Sequence, residues 1–354
     1  MTRKWLAAIL ALFLWTAPTL AESNVLSGFN PVEVARTARP AVVQVLNRAV
    51  DWSRETGEVK RDQGSGSAVY VDDRGYFITN HHVIEGADEV VVVLIDGTEL
   101  EATIVGSDNG TDLAVLKVEG KIDARPVPLG DSDKLEIGEW VIAIGNPGAG
   151  ASVLRGSVTL GIISALDRED VSAGNFTRAV KVIQTDAAIN MGNSGGALLN
   201  AKAELIGIPT LKFTFDAAGV YEGLGFAVPV NTIRDVTAKL IEDGKVVRPR
   251  LGVTVMALEG PERPLRNYAP AGVQVMEVEP SSPAALAGLY KYDIILEAAG
   301  TRVKTINQLT AIVDAHQPGD PLLLKVCRYF DALTGEPLPK HEMLELVAGT
   351  ALLD

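Results

Sequence analysis

Cysteine, histidine and aromatic residues are all scarce in this chain of 354 residues. The scarcity of cysteine and histidine limits the metal sites and catalytic groups that the chain can form. The single cysteine, Cys327, permits no internal disulfide bond and no cysteine-rich metal site. It follows the apolar segment 322–326, so we expect a packed core thiol and not a nucleophile. The four histidines form no HExxH motif. We therefore expect no metal ion and no other cofactor.

Clustered basic residues are also missing. The formal net charge is −13, and no block of Lys and Arg interrupts the acidic chain. Binding to nucleic-acid phosphates depends on such clusters, so we expect no nucleic-acid partner. The hydrophobic fraction of 47% and the charged fraction of 22% are typical of a globular protein, and the length predicts two or three domains.

The amino terminus has the pattern of a secretory signal. Arg3 and Lys4 precede an uncharged apolar run, and Thr19 and Ala21 supply the small residues of a cleavage site. The uncharged stretch ends at Glu22, which makes it short for a membrane span of about 20 apolar residues. We predict a signal peptide over residues 1–21 and a periplasmic or secreted protein, with an uncleaved membrane anchor as the alternative.

From Pro40 to about Pro229 the patterning is mostly of the β type. An apolar run at 90–95 and a strand-like run at 98–105 flank Asp96-Gly97, a combination that predicts a hairpin. Two further turns are predicted at 71–75 and 200–204. Many short strands separated by close turns indicate a barrel or a sandwich.

Helices are predicted on either side of this region. Asn30-Pro31 should cap a short helix that stops before Pro40, and Asn231 should cap a longer one that ends at Gly244. The apolar face of the longer helix contains Ile233, Val236, Leu240 and Ile241.

A linker over residues 245–250 leads to a smaller unit. Strand-like segments alternate there with two short helices, which begin at Ser282-Pro283 and near Thr305. This pattern predicts a compact α+β module that folds on its own.

Serine is the remaining class of nucleophile, and Ser194 lies in the segment Gly192-Asn-Ser-Gly-Gly196. The glycines let the backbone turn sharply and leave the neighbouring N–H groups unobstructed, as acyl transfer requires. An ordinary polar loop is the plainer interpretation. A third is the G-x-S-x-G elbow of α/β-hydrolases, with His316 or His341 as the base. That fold needs a helix directly after the serine, whereas the sequence predicts two strands around a turn.

Longer motifs resemble the HtrA/Deg family of trypsin-like serine proteases with a C-terminal PDZ domain. The likeness covers nearly the whole chain from Asn30 onward, and it is carried by the segments 64–66, 75–84, 111–117, 129–135, 138–147, 184–190, 192–196 and 223–229. The resemblance implies a mainly β fold, with a chymotrypsin-like double β-barrel protease domain over residues 22–247. One small α+β PDZ domain would follow over residues 248–350.

The resemblance also implies the catalytic residues. They are His82 as the base, Asp112 as the acid that orients it, and Ser194 as the nucleophile, with Gly192, Asn193 and Ser194 forming the oxyanion hole. The residues alone do not distinguish His82 from the neighbouring His81, nor do they select Asp112 among the many acidic side chains.

Substrate contacts are expected at Ile189, Leu224, Gly225 and Phe226. The substrate strand would pair with residues 224–226, and cleavage would follow small or medium aliphatic residues. The sequence departs from the family at Met191, where Pro or Arg is common, and at Tyr292, where a glycine is usual. The segment 47–64 is short, so a long regulatory insertion is missing.

In the PDZ domain, Leu251, Gly252 and Val253 match the loop that binds a peptide carboxylate. A strand-opening glycine without a ligand is the plainer interpretation of that loop. We predict an exported serine endopeptidase that hydrolyses unfolded or damaged proteins in quality control and the stress response. It would form a homotrimer through the segment around Phe29. The alternative is a non-proteolytic chaperone or scaffold.

Overall fold

The structure is a computed structural model that describes residues 29–53, 57–147, 154–168, 180–215, 219–258, 271–330 and 337–350. Its architecture is mainly β, as predicted, with two closed barrels followed by a smaller sheet. The predicted signal peptide lies outside the described residues. No helix in the described part of the chain is long and apolar enough to cross a membrane.

Six antiparallel strands form the first barrel: β1 (Val42–Ser53), β2 (Gly57–Asp72), β3 (Tyr76–Thr79), β4 (Glu89–Val93), β5 (Glu99–Asp108) and β6 (Leu113–Val118). They close in the order β1-β2-β3-β6-β5-β4. The predicted hairpin joins β4 to β5, with Gly97 at a φ of 91° in its turn. Beyond Asn47 and Gly64, β1 and β2 continue as a paired arm that reaches Ser53 and Gly57.

The second barrel contains β7 (Trp140–Gly145), β8 (Ser157–Arg168), β9 (Val182–Thr185), β10 (Ala197–Leu199), β11 (Leu205–Phe215) and β12 (Gly219–Pro229). These strands close in the order β10-β11-β12-β9-β8-β7. A strand and not a helix therefore follows Ser194, which excludes the α/β-hydrolase elbow.

Among the described residues, three α-helices accompany the barrels: α1 (Pro31–Ala38), α2 (His81–Ile84) and α3 (Val230–Asp243). Asn30 caps α1 as predicted, because its side chain accepts a hydrogen bond from the Glu33 N–H. The predicted cap of α3 is wrong. Strand β12 runs directly into the helix, so Pro229 occupies the cap position, and the Asn231 amide instead donates to Asp131 at 2.9 Å.

The two barrels share a hydrophobic core. One buried cluster joins the first barrel to Val34 of α1, to Ile233 and Leu240 of α3, and to Ile142 and Ile144 of the second barrel. A separate cluster, which includes Val141, Ile163 and Ile206, fills the second barrel. The barrels are therefore packed against each other, and the cleft between them has two fixed walls.

The small domain is a sheet of β13 (Val253–Ala257), β14 (Val273–Val278), β15 (Ile294–Ala298), β16 (Thr301–Arg302), β17 (Pro321–Phe330) and β18 (Pro337–Gly349), with helices α4 (Pro283–Leu286) and α5 (Ile306–Asp314). Both helix starts are as predicted, since Ser282 caps α4 and Thr305 forms a capping box with Gln308. Tyr292 adopts a φ of 74°, which explains why a glycine suits this position.

Cys327 lies fully buried in β17. Burial raises the pKa of its thiol, which favours the unreactive protonated form. The prediction of a packed core thiol is confirmed.

Candidate active site

Asp112 lies at the mouth of the first barrel, in the connection from β5 to β6. Its backbone is in the left-handed region at a φ of 55°, and its side chain is 1% exposed. The Asn80 amide and the His81 N–H both donate to the Asp112 carbonyl, at 2.8 and 3.1 Å. A buried carboxylate on such a restrained backbone is fixed in position before any ligand arrives.

His82, in the first turn of α2, contacts this carboxylate directly. Its Nδ1 lies 2.8 Å from one carboxylate oxygen and 3.0 Å from the other, and its backbone N–H donates to Asp112 at 2.9 Å. A proton on Nδ1 makes this contact favourable and leaves Nε2 as the basic nitrogen. The neighbouring His81 does not share the contact: among the described residues its buried Nδ1 has no hydrogen-bond partner.

Ser194 lies on the other wall of the cleft, in the loop that leads to β10 of the second barrel. Its carbonyl accepts a hydrogen bond from the Ser67 N–H at 2.8 Å. A Cβ added to Gly66 would lie 3.1 Å from that carbonyl and 2.7 Å from the side chain of Val83, the residue after His82. Gly66 is thus in contact with both walls of the cleft, and its lack of a side chain lets them approach.

Alternate N–H groups are left unused in the loop that holds Ser194. Asn193 donates to the Asn190 carbonyl at 2.9 Å, and Gly195 donates to the Pro209 carbonyl at 3.0 Å. Within the described ranges, the N–H groups of Gly192 and Ser194 have no acceptor. Gly192 has a φ of 96°, a conformation that glycine adopts without strain. Two unpaired donors on either side of one residue are the arrangement that binds an oxyanion.

Two buried hydroxyl residues that the sequence analysis did not single out complete the site. Thr210 of β11 donates to the Asp112 carboxylate, so the second barrel helps to hold an acid from the first. Ser67 of β2 donates to the Gly192 carbonyl at 2.7 Å. A signal for Ser67 was present, because it directly follows the Gly64-Ser-Gly66 motif. Thr210 has no comparable sequence signal.

The residues expected to contact substrate are only partly grouped as predicted. Ile189 is buried, and a Cβ added to Gly225 would lie 2.6 Å from its Cγ1, so these two residues touch. Leu224 is half-buried beside them. The predicted pairing of a substrate strand with residues 224–226 is wrong for Gly225 and Phe226, because β9 and β11 already pair with them on both sides.

A cavity of about 380 Å³ opens beside His82 on the first barrel. It is lined by residues of β1, β2, α2 and the turn after α2, namely Asn47, Gln63, Gly64, Ser65, His82, Val83, Glu85 and Gly86. Gln63 is the extra residue of a β-bulge, since Asn47 pairs with Gly64 while Arg48 pairs with Asp62. Its amide donates to Asn47 and to the Gly86 carbonyl, which ties β2 to that turn.

The linker to the small domain contacts the loop that leads to Asp112. Arg248 forms a two-point ion pair with the buried carboxylate of Asp108, at 2.5 and 2.7 Å. Burial alone would raise the pKa of Asp108, but Arg248 and the Thr111 hydroxyl outweigh it and hold that pKa below its ordinary value. The carboxylate therefore stays charged and braces the turn that precedes Asp112.

In the small domain, the loop before β13 also presents unused donors. The carbonyls of Leu251 and Gly252 accept hydrogen bonds from Ala284 and Glu279, both at 2.9 Å. Their own N–H groups have no partner in the described part of the chain. Strand β13 lies at the end of its sheet, with β14 as its neighbour. Arg250, in contrast, is exposed and pairs with Glu279.

The fold and the cleft together define a trypsin-like peptidase followed by a PDZ domain. Residues 66–208 match the family model for the trypsin-like peptidase domain, and residues 249–345 match the model for the PDZ domain. The serine endoprotease DegS of Haemophilus influenzae is 35% identical over 328 residues, which cover 92% of both chains. The chain belongs to the HtrA/Deg family of serine proteases, and its enzyme class is that of a serine endopeptidase.

Other relatives agree in sequence but are longer. HhoB of Synechocystis sp. is 45% identical over 277 residues, which cover 76% of this chain and 64% of HhoB. A periplasmic DegP-like serine endoprotease of Halomonas elongata is 43% identical over 278 residues, which cover 77% of this chain and 55% of that protein. Among solved structures, the HtrA-type protease AlgW with a decapeptide is 35% identical with a TM-score of 0.72, covering 92% of this chain and 99% of AlgW.

Proposed function

We propose that the chain is an exported endopeptidase that hydrolyses unfolded or damaged proteins through a triad of His82, Asp112 and Ser194. One observation carries the proposal. A histidine held by a buried aspartate faces a cleft in which the N–H groups of Gly192 and Ser194, on either side of Asn193, have no acceptor among the described residues. This combination has a specific use in acyl transfer and no evident structural purpose.

The mechanism follows from these positions. His82 takes the proton of the Ser194 hydroxyl at Nε2 while the oxygen attacks the scissile carbonyl. Asp112 stabilises the imidazolium through Nδ1, and the Gly192 and Ser194 N–H groups bind the oxyanion. His82 then protonates the leaving amine, the acyl-enzyme forms, and water releases it by the same steps in reverse order.

Substrate residues before the scissile bond would pair with β11. Strand β10 pairs with β11 at Leu205 and Gly207, and from Leu211 onward the described strand partner of β11 is β12 alone. Thr210, at the start of this stretch, contacts Asp112, so the open edge begins at the catalytic residues. An extended peptide added there gains main-chain hydrogen bonds for any sequence, which suits unfolded proteins.

Residues after the scissile bond would run past His82, because His82 protonates the amine that leaves. The cavity beside His82 lies on this path. Its lining is mainly polar, so it would accept hydrophilic side chains on the leaving side of the cut.

Ile189 and Leu224 would form the pocket for the residue before the cut, which predicts cleavage after small or medium aliphatic residues. In a Gly225→Ala variant the new methyl group displaces Ile189, and we expect kcat/KM for valine substrates to fall about tenfold or more relative to alanine substrates. Fluorogenic peptides that differ at this position measure the ratio. A preference of the unmodified enzyme for Lys or Arg before the scissile bond would contradict the assignment.

The PDZ domain would bind the C-termini of peptides. The N–H groups of Leu251 and Gly252 would hold the carboxylate, and the peptide would add to β13 from Val253 onward, opposite β14. The plainer interpretation, a strand-opening glycine without a ligand, does not explain two donors in one loop that lack an acceptor in the described part of the chain.

A homotrimer would form around Phe29. The Phe29 ring stacks on Trp140 with 6.1 Å between ring centres, and Val158 and Leu160 extend an exposed apolar surface on the adjacent strand. We expect Leu160→Asp to convert a three-chain particle into single chains, as measured by light scattering. Ile104→Asp, an exposed apolar residue of the first barrel, is the control that should stay trimeric. A parent protein that is already monomeric contradicts the proposal.

Location in the periplasm rests on the signal-like amino terminus and on the periplasmic relative. Removal of residues 1–21 would take away Arg3 and Lys4 and leave the exported protein more acidic still.

The experiment is digestion of casein by the purified protein, with and without peptides that end in hydrophobic residues. A stably folded protein is the control substrate. We expect casein to be cut and the folded control to survive, and a faster cut with peptide would link the PDZ domain to the cleft. If casein remains intact under every condition, the chaperone or scaffold alternative replaces the proteolytic one.

A further inference from the structure

Ser67 occupies an unusual position between the two barrels. It is 0% exposed, and its hydroxyl has a complete set of partners. The hydroxyl donates to the Gly192 carbonyl at 2.7 Å, and it accepts from the Asn146 backbone N–H at 2.9 Å and the Asn146 side-chain amide at 3.2 Å. One donor and two acceptor sites are all that a hydroxyl offers, so the Ser67 hydroxyl is fully hydrogen-bonded.

Ser67 bonds to both Gly192 and Ser194, the residues on either side of Asn193. The Ser67 side chain holds the carbonyl of Gly192, and its backbone N–H holds the carbonyl of Ser194 at 2.8 Å. These are the two residues whose own N–H groups have no acceptor among the described residues. A single residue of the first barrel thus restrains both donors of the second.

The restraint is needed because the loop would otherwise be free to change. Gly192 is at a φ of 96°, and a glycine passes readily between this conformation and others. The peptide group between Gly192 and Asn193 is held at its oxygen by Ser67 and at its N–H by the Asn190 carbonyl. Without the hydrogen bond from Ser67, this peptide group keeps only its bond to the Asn190 carbonyl.

Asn146 extends the restraint into the second barrel. Its side-chain oxygen accepts from the Gly156 N–H at 2.9 Å, and the residue is 1% exposed. The chain of hydrogen bonds therefore runs from Gly156, just before β8, through Asn146 and Ser67 to the loop of residues 192–194. Each link is buried, so water cannot replace it.

We propose that Ser67 is a positioning residue that keeps the oxyanion hole formed before substrate binds. The inference rests on the proposed function, since it assigns a purpose to the same two N–H groups. It predicts that the Ser67 hydroxyl contributes to kcat, where the oxyanion develops, and little to KM, where the ground-state peptide binds.

The test compares Ser67→Ala with the parent enzyme on a short peptide substrate. We expect kcat to fall at least about tenfold, approaching the 10²- to 10³-fold loss that follows removal of an oxyanion donor, with KM within about twofold. Ser67→Thr keeps the hydroxyl and should recover most of the rate. Thr237→Val, which removes another buried hydroxyl bond, one that lies within α3, controls for general destabilisation.

The outcomes distinguish a failure of this inference from a failure of the proposed function. If the parent cuts peptides and Ser67→Ala matches it in kcat, the inference fails and the proposed function stands. If Ser67→Ala and Thr237→Val lose rate equally, in step with melting temperature, the role is structural and the inference fails as well. If the parent itself neither cuts peptides nor reacts with a fluorophosphonate, the proposed function has failed first.

Discussion

Replacing Ser194 by alanine should lower kcat by about 10⁶-fold while leaving the fold intact. The residue is half-buried, and the contact that the structure gives it is through its backbone carbonyl to Ser67, which alanine preserves. The loss is therefore chemical and not structural. Steady-state cleavage of a fluorogenic peptide measures it, with thermal unfolding as the check on folding.

The same measurement on His82→Ala and on the double variant sharpens the prediction. Because His82 and Ser194 act as one unit, the double variant should be about as slow as either single variant, and the losses should not multiply. Ser132→Ala, a serine outside the cleft, is the matched control with unchanged kcat. Losses that multiply in the double variant would show that the two residues act independently, contrary to the proposed mechanism.

Asp112→Asn should lower kcat by about 10⁴-fold for a different reason. The amide oxygen of an asparagine would accept the His82 backbone N–H, which can only donate, so the amide NH₂ would face Nδ1 of His82 and the Thr210 hydroxyl, which can turn to accept. Nδ1 must then accept a hydrogen bond, so the imidazole proton moves to Nε2, where it blocks proton transfer from Ser194. Asparagine also tolerates the left-handed backbone at this position, so the loop should keep its shape.

Two observations keep this prediction distinct from simple destabilisation. The melting temperature and KM of Asp112→Asn should stay near those of the parent, and only kcat should fall. Asp123→Asn, an exposed carboxylate with the same change in charge, should show no loss. An Asp112→Asn enzyme within tenfold of the parent would remove Asp112 from the triad and leave His82 without its assigned partner.

Local features of the fold were predictable because each depends on a few adjacent residues. Asp96-Gly97 between an apolar run and a strand-like run specifies a hairpin, and Asn30, Ser282 and Thr305 specify helix starts because each side chain bonds the N–H three residues later. The prediction that Asn231 caps α3 was wrong because β12 runs directly into the helix. Pro229 therefore holds the cap position, and Asn231 already lies inside α3.

The site depended more on resemblance than on local pattern. Nothing in the sequence separates His82 from His81; the difference is that α2 turns the His82 ring toward Asp112. Thr210 reaches Asp112 from a strand 98 positions away, which only the packing of the barrels determines. The open edge of β11 was mistaken for one on β12 because barrel closure, which pairs β9 with β12, is a long-range choice of partner.

The most direct test of the central claim is to react the protein with a fluorophosphonate and locate the adduct by mass spectrometry. An activated serine beside a base and an oxyanion hole reacts with this reagent, whereas ordinary serines do not. We predict a single adduct on Ser194, absent in His82→Ala and accompanied by loss of casein cleavage. A preparation that cleaves casein yet carries its adduct elsewhere, or carries none, would contradict the account.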